Sequence, residues 1–406
     1  MRREAAQNIS KFTVNLKVQD IVSEVIPLFK ALISDDQDSV RIQALSYCIP
    51  LYESVPVECK ISHLLPVVLN VVNDKAWRVR WTLANKLHEL CSALGQEASY
   101  NSLGNVYESL LNDTEAEVRA AAASHVHKIC RLINKDFFVQ RIIPTVKHLA
   151  SDVSEYVRAS LASSIVEVTS ILGKEGTVDH ILPLLLLLLR DENSEVRLNI
   201  ISNLGCINSI IGVELLSQSL IPAIIQLSED TKWRVRLAII EHIPVLAAQV
   251  GKHFFNDKLS MLCMGWLGDE VYSIRRAAAE NLFKLTELFG EEWTQEIVLP
   301  RLETLHSNSN YLHRVTSLYG MQVLCKVVTP STSNRSILPL LLSLSHDPVP
   351  NVRFITATTM ATVHPYVTKV NPNGASEIKS ILNNLASDDK DSDVRYYALE
   401  ALQNMQ

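Results

Sequence analysis

The residues of this 406-residue chain that could hold a metal or supply a nucleophile are its 12 histidines and seven cysteines, and their spacing suits neither task. A di-iron site in a helical protein draws on several His-Glu pairs, whereas His88-Glu89 is the single such pair here. His88 is therefore expected to be a surface or interface side chain. The cysteines, at 48, 59, 91, 130, 206, 263 and 325, are odd in number and show no CxxC or CxxxxC spacing, which speaks against both a disulfide framework and a zinc site and fits a reduced cytoplasmic or nuclear compartment. Phosphate-cradling GxxxxGK[ST] and GxGxxG loops are absent, as are the GxSxG nucleophile turn and the HExxH zinc motif. No catalytic residue, metal or cofactor is expected.

Arginine and aspartate carry the pattern instead. Aligning on Val-Arg places arginines at 41, 80, 119, 158, 197, 236, 275, 314 and 353, each 39 residues after the last, with Arg2 one step earlier. Arg395 closes the series after 42 residues, so a loop near Asn371 to Ser376 has gained three. Six residues before each arginine stands an aspartate (35, 74, 113, 152, 191, 230, 269, 347 and 389), replaced once by Asn308. Fourteen before stands proline, at 27, 66, 144, 183, 222, 300 and 339. Charges held to such a register are expected to form a ladder of partly buried ion pairs, each arginine reaching an aspartate of an adjacent unit.

Helical hairpins must position these groups. In one unit Leu216, Leu220, Ile221, Ile224 and Leu227 recur at steps of three and four, giving a first helix one apolar face, and Val235, Ile239 and Ile243 do the same for a second. Pro222 removes a backbone donor inside the first helix, so a bend is expected there. Asp230, just before the second helix, can accept from free backbone N–H groups. Cys91, Cys130 and Cys325 share one register position, eleven residues after their arginines, and are expected in the core, with Cys59 in an inter-repeat loop. Proline, aspartate and Val-Arg at these offsets make the HEAT-repeat signature. The expected fold is all-α, a right-handed α-solenoid of about ten and a half HEAT repeats: a half repeat at 1–16, five repeats at 17–211 and five at 212–406.

Composition agrees. Hydrophobic residues make up 47% and glycines number only 12, and no alternating strand pattern occurs. The longest apolar stretch, from Ile181 to Leu189, is about half of the roughly 20 residues that span a bilayer, so no membrane insertion is expected. A net charge of -6 argues against nucleic acid as partner. The partners are expected to be proteins.

One position departs from its structural role. Three residues before the repeat arginine most units carry small or polar residues (Asp38, Ala116, Glu155, Ser194), but consecutive units carry Trp233, Tyr272 and Tyr311, and an earlier one Trp77. The position lies at the turn between the two helices, where an aromatic is partly exposed. Aligned exposed aromatics with arginines beside them make a protein-binding ridge.

The segments Lys232-Trp233-Arg234-Val235-Arg236, Val271-Tyr272-Ser273-Ile274-Arg275, Asn310-Tyr311-Leu312-His313-Arg314 and Glu195-Val196-Arg197-Leu198-Asn199 resemble the A-type scaffold family of protein phosphatase 2A. That resemblance implies a non-catalytic scaffold, itself monomeric within a heterodimer or heterotrimer. It would hold the phosphatase 2A catalytic subunit on its last five repeats and an exchangeable regulatory B-type subunit on earlier ones. It further implies catalytic-subunit contacts at Lys232, Trp233, Arg234, Val271, Tyr272, Tyr311, Leu312 and Asn351. Regulatory-subunit contacts would fall on Arg2, Arg3, Asp35, Asp36, Trp77 and Arg78. Family members carry fifteen repeats, and Met1-Arg2-Arg3-Glu4-Ala5-Ala6 matches the middle of a second helix, so relative to the family four repeats and half of a fifth are expected to be missing. The rival reading is an importin-β-like transport adaptor, also a HEAT solenoid, against which the strict register and the aromatic positions weigh.

Overall fold

The computed structural model describes residues 1–13, 16–95 and 102–405, apart from the side chains of Ser10, Phe12, Cys206, Asn208, Ser209, Val213 and Leu216. Among the described residues every regular element is helical. The helices gather into two compact units, residues 1–220 and 221–406. In each, second helices of successive repeats lie side by side: Trp77–Leu94, Ala116–Ala123, Glu155–Ile165 and Ser194–Ile211 in the first, Trp233–Lys258, Tyr272–Phe289, Tyr311–Leu324, Pro350–Thr368 and Ser392–Gln403 in the second.

The apolar register explains this stacking. The valine or isoleucine before each repeat arginine is at most 1% exposed at 40, 79, 118, 157, 196, 235, 274, 352 and 394. Leu220, Ile221, Ile224, Leu227, Ile239 and Ile243 are buried with them, while Leu216, expected on the same face, is outside the described side chains. Five glycines fifteen residues after their arginines, at 95, 173, 212, 251 and 290, adopt positive φ and end the second helices. At Gly290 (φ 87°, ψ 172°) the backbone itself demands glycine, since an added Cβ would meet no atom within 4 Å.

The prolines shape the first helices in a specific way. A proline cannot donate to the carbonyl four residues back, and its ring crowds that oxygen. The chain answers with a five-residue π turn that ends two residues before the proline: Ile21–Val25 before Pro27, Lys60–Leu64 before Pro66, Phe138–Ile142 before Pro144, and likewise before Pro183, Pro222, Pro300 and Pro339. Where Met261 and Ile381 hold that register position, the helices Ser260–Trp266 and Pro372–Asp388 run through without one, whereas Ser102 and Leu103 keep the widened turn ahead of Asn105. The bend expected at Pro222 thus takes the form of a widened turn just ahead of it.

The ion-pair ladder forms as expected. Arginine Nε and Nη2 meet both carboxylate oxygens of the aspartate 33 residues on, at 2.8 and 2.8 Å for Arg41–Asp74, 2.6 and 2.8 Å for Arg80–Asp113, and 2.7 and 2.9 Å for Arg119–Asp152. Arg158–Asp191, Arg314–Asp347 and Arg353–Asp389 repeat the geometry, the last across 36 residues because of the enlarged loop. Nη1 of the same arginine donates to the carbonyl of its own repeat's aspartate, as in Arg80 to Asp74 at 2.6 Å. Each guanidinium therefore locks its own turn and grips the next repeat.

The aspartate works differently from a helix cap. Its Oδ1 accepts the N–H two residues on, at 2.7 Å from Lys232 to Asp230 and 2.8 Å from Ala76 to Asp74. That donor belongs to the residue preceding the helix, so the carboxylate builds the turn and leaves the helix's own first N–H groups without a side-chain cap. Asn308 preserves this turn, accepting from Asn310 at 2.8 Å, but carries no charge. Arg275 opposite it keeps only its bonds to the carbonyls of Asp269 and Glu270, and its buried Nε has no partner.

Two smaller expectations resolve here. Cys48, Cys91, Cys130, Cys263 and Cys325 are buried core residues. Cys59 lies in the helical turn Val57–Cys59 that opens a first helix, not in a loop, and the Cys206 side chain is outside the described residues. His88 stacks on His125 of the next repeat with ring centroids 4.7 Å apart. Burial lowers both imidazole pKa values, His125 to about 4, so the pair is neutral at physiological pH.

The vacant rung gives a prediction with a built-in pH test. Asn308→Asp should complete the bond to Arg275 and stabilise residues 221–406 by about 1–3 kcal/mol at pH 7. In Asp389 the Arg353 hydrogen bond holds the carboxyl below its usual value; in Asp113 and Asp152 burial pushes upward but the arginine and backbone donors outweigh it. A carboxylate with a depressed folded pKa stabilises the fold above its unfolded pKa and ceases to as pH falls through the folded one. The gain should be complete at neutral pH and shrink from about pH 4 downward. Thermal melts of both proteins at pH 7 and pH 3 check this; equal gains at the two pH values would exclude an ion pair.

A candidate protein-binding ridge

The local sequence fixes where the aromatics stand. The aspartate turn delivers an extended residue (Ala76, Lys232, Val271 or Asn310), and the aromatic follows as the first residue of the second helix. A Cβ there tilts back toward the helix N-terminus, so the ring lies over the turn and not in the core. Trp233 is half-buried, with the Arg234 guanidinium 4.7 Å above its ring centroid, and Lys232 and Arg234 are both exposed. Trp77 and Arg78 repeat the arrangement at the same 4.7 Å. Each pair presents a flat apolar surface with a cation on it, suited to packing against a partner and pairing with a carboxylate.

In the second unit the pattern continues over consecutive repeats. Tyr272 is 53% exposed and meets Tyr319 of the next repeat edge-on, centroids 6.3 Å apart. Arg276 lies over the Tyr319 ring at 5.0 Å and is held by Glu280 at 2.9 Å. Burial, then the hydrogen bond with Tyr272, raises the Tyr319 pKa, and the Glu280 bond raises that of Arg276, so both groups keep their protons at neutral pH. Tyr311 and Leu312 are half-buried at the next turn, whose N-cap Asn310 accepts from the Leu312 N–H at 3.0 Å. Val271 is half-buried, and Asn351 is exposed near the start of Pro350–Thr368.

The residues expected in the first unit divide into two kinds. Arg2 Nη1 meets Asp35 at 3.0 Å, and the Asp35 side chain, 6% exposed, also accepts from Gln37. These two residues form the first rung of the ladder, and the Arg2 side chain is 60% exposed. Arg3, Asp36 and Arg78 are exposed. Sequence reasoning overlooked Arg276 and Tyr319, which complete the Tyr272 patch. The available signal was the Tyr272, Arg276, Glu280 series at steps of four along one helix face.

Among the described residues no group of three or more His, Cys, Asp or Glu side chains could hold a metal ion. Burial pushes the thiols of Cys48, Cys91, Cys130 and Cys325 up to about 12, away from the thiolate state that nucleophiles need. No described helix is long and apolar enough to cross a membrane.

Known proteins place the repeat. Residues 100–173 match the profile of the PPP2R1A-like HEAT repeat, 181–283 that of HEAT repeats, and 337–367 that of the HEAT repeat. The chain is built of HEAT repeats. A 128-residue stretch is 39% identical to the A-type regulatory subunit of protein phosphatase PP2A from Saccharomyces cerevisiae, covering 30% of this chain and 20% of that protein. A 65-residue stretch is 42% identical to its namesake in Schizosaccharomyces pombe, covering 16% of this chain and 11% of that one. Similar solved structures include Kap95p with RanGDP (14% identity, TM-score 0.66, 99% of this chain and 54% of that one) and Kap121p bound to Nup53p (12%, 0.64, 100% and 45%). At such identities the likeness is one of fold.

Because the Trp233 ring lies over a turn, Trp233→Ala should cost the fold only about 1 kcal/mol. Urea titration followed by circular dichroism measures this; a loss of several kcal/mol would make the ring a core residue.

Proposed function

We propose that this HEAT-repeat chain is a non-enzymatic scaffold of the phosphatase 2A type. It holds the phosphatase catalytic subunit on residues 212–406 and a regulatory subunit on residues 17–211. The 39% identity over 128 residues to the yeast A-type regulatory subunit carries the reading. The matched part is a fifth of that relative, so the partners rest on the proposal and on the chemistry of the turns. Lys232, Trp233 and Arg234, Val271 with Tyr272, Tyr311 with Leu312, and Asn351 supply the catalytic-subunit contacts. Arg2, Arg3, Asp35, Asp36, Trp77 and Arg78 supply the regulatory ones, Arg2 and Asp35 as a pair that also fixes the turn. A cytoplasmic or nuclear setting follows from that role.

The physical case is one of rigid display. Rings at helix N-termini of laddered repeats lose little conformational freedom on binding, so their contact area converts into affinity with less entropic loss. The arginine faces on Trp77 and Trp233 suit acidic partner surfaces.

The test is affinity capture of purified phosphatase 2A catalytic subunit on the immobilised chain. Trp233→Ala should weaken capture by on the order of 30- to 1,000-fold, the effect of losing about 2–4 kcal/mol at an aromatic hot spot. Tyr311→Ala should weaken it in the same direction, whereas Trp77→Ala should leave it unchanged. Failure of the unaltered chain to capture its phosphatase partner would sink the reading.

A further inference from the structure

One turn beyond Trp77 on the same helix, Trp81 faces solvent without a role in the ridge. Its ring is 44% exposed, and two repeats on Tyr156 is 71% exposed. Between them the second helix Ala116–Ala123 offers Ala116, Ala120 and Ala121, whose short side chains leave a groove of about 330 Å³. That is room for a long side chain with its adjoining peptide. The groove lies wholly within residues 1–220.

We propose that this groove binds a lysine- or arginine-bearing segment of a partner protein. Three observations choose the occupant. The faces of Trp77 and Trp233 are covered by their own arginines, but among the described residues no cation and no other ring lies on Trp81 or Tyr156. The groove lining includes Glu117 and no lysine, arginine or histidine, and among the described residues no cation pairs with the exposed Glu117 carboxylate. Asn85, also in the lining, spends its amide N–H on the Trp81 carbonyl at 2.9 Å, which leaves its side-chain oxygen to accept from a ligand. The aliphatic stem of a lysine or arginine lies on the alanine floor, its charge between two π faces and near one carboxylate. An acidic segment would find no countercharge. The site lies outside the contacts proposed above and does not depend on them.

The probe is a fluorescein-labelled peptide, Gly-Lys-Arg-Lys-Leu-Arg-Lys-Gly, titrated with the full chain by anisotropy, alongside the same peptide with glutamate at every basic position. Saturable binding of the basic peptide alone is expected. Trp81→Ala, Tyr156→Ala and Glu117→Lys should each weaken it about ten-fold, the scale of a desolvated cation–π or ion contact. Glu58→Lys, the same charge change at an exposed site elsewhere in the unit, should alter it less than about two-fold. Ala120→Leu fills the floor without removing a ring and should also abolish binding, which keeps the test decisive if Trp81→Ala fails to fold. Equal losses in Glu58→Lys and Glu117→Lys would reduce the effect to general attraction by an acidic protein and overturn the site. So would full binding after either ring is removed, equal binding of the glutamate peptide, or self-association in sedimentation that Trp81→Ala abolishes, which would make a second copy the occupant.

Discussion

Everything in this molecule hangs on a guanidinium shared between two turns. One edge of each paired ladder arginine satisfies a carbonyl of its own repeat while the other closes on the carboxylate of the next, so a single planar group sets both the conformation of a turn and the register of a stack. Burying such a pair from two solvated groups adds little net stability, because desolvation offsets much of the attraction; only where one partner is already buried and unpaired, as at Arg275, does supplying the other bring a gain. Their effect lies in geometry: a side-on pair tolerates no slip between repeats. The valine or isoleucine before the arginine supplies the burial.

Binding surfaces follow from that constraint. A turn braced by the aspartate places the next residue but one at a fixed helix start, and whatever side chain stands there is displayed at the same height on every repeat. Alanine or serine yields a quiet surface; tryptophan or tyrosine yields a patch. The scaffold can thus change its partners at one register position without disturbing the core, which separates the part of the sequence that folds from the part that recognises.

Much of this was legible from spacing alone. The hairpins, the ladder with its vacancy at Asn308, and the exposure of Tyr272 all follow from a 39-residue period read with helical geometry. Features that depend on how helices meet were not. The π turns ahead of the prolines answer a steric conflict whose form the sequence does not mark, and one recurs ahead of Asn105 without a proline; the aspartate's true acceptor role depends on whether the helix begins one residue earlier or later. Trp81 and Tyr156 occupy different register positions, so no alignment of repeats pairs them. Only the packing of three second helices brings them to the two sides of one groove.

The forward reach of arginine and the backward reach of aspartate give each repeat of the ladder one plug and one socket, except where Asn308 stands for the aspartate. Excising or duplicating a whole period between paired rungs rejoins a plug to a socket of the same shape, and the three residues gained between Arg353 and Asp389 show that the link also tolerates slack in the loop it spans. Such a chain can change length by copying and still fold. Its length then becomes something natural selection can set in steps of one repeat, adding or withdrawing display positions as partners require.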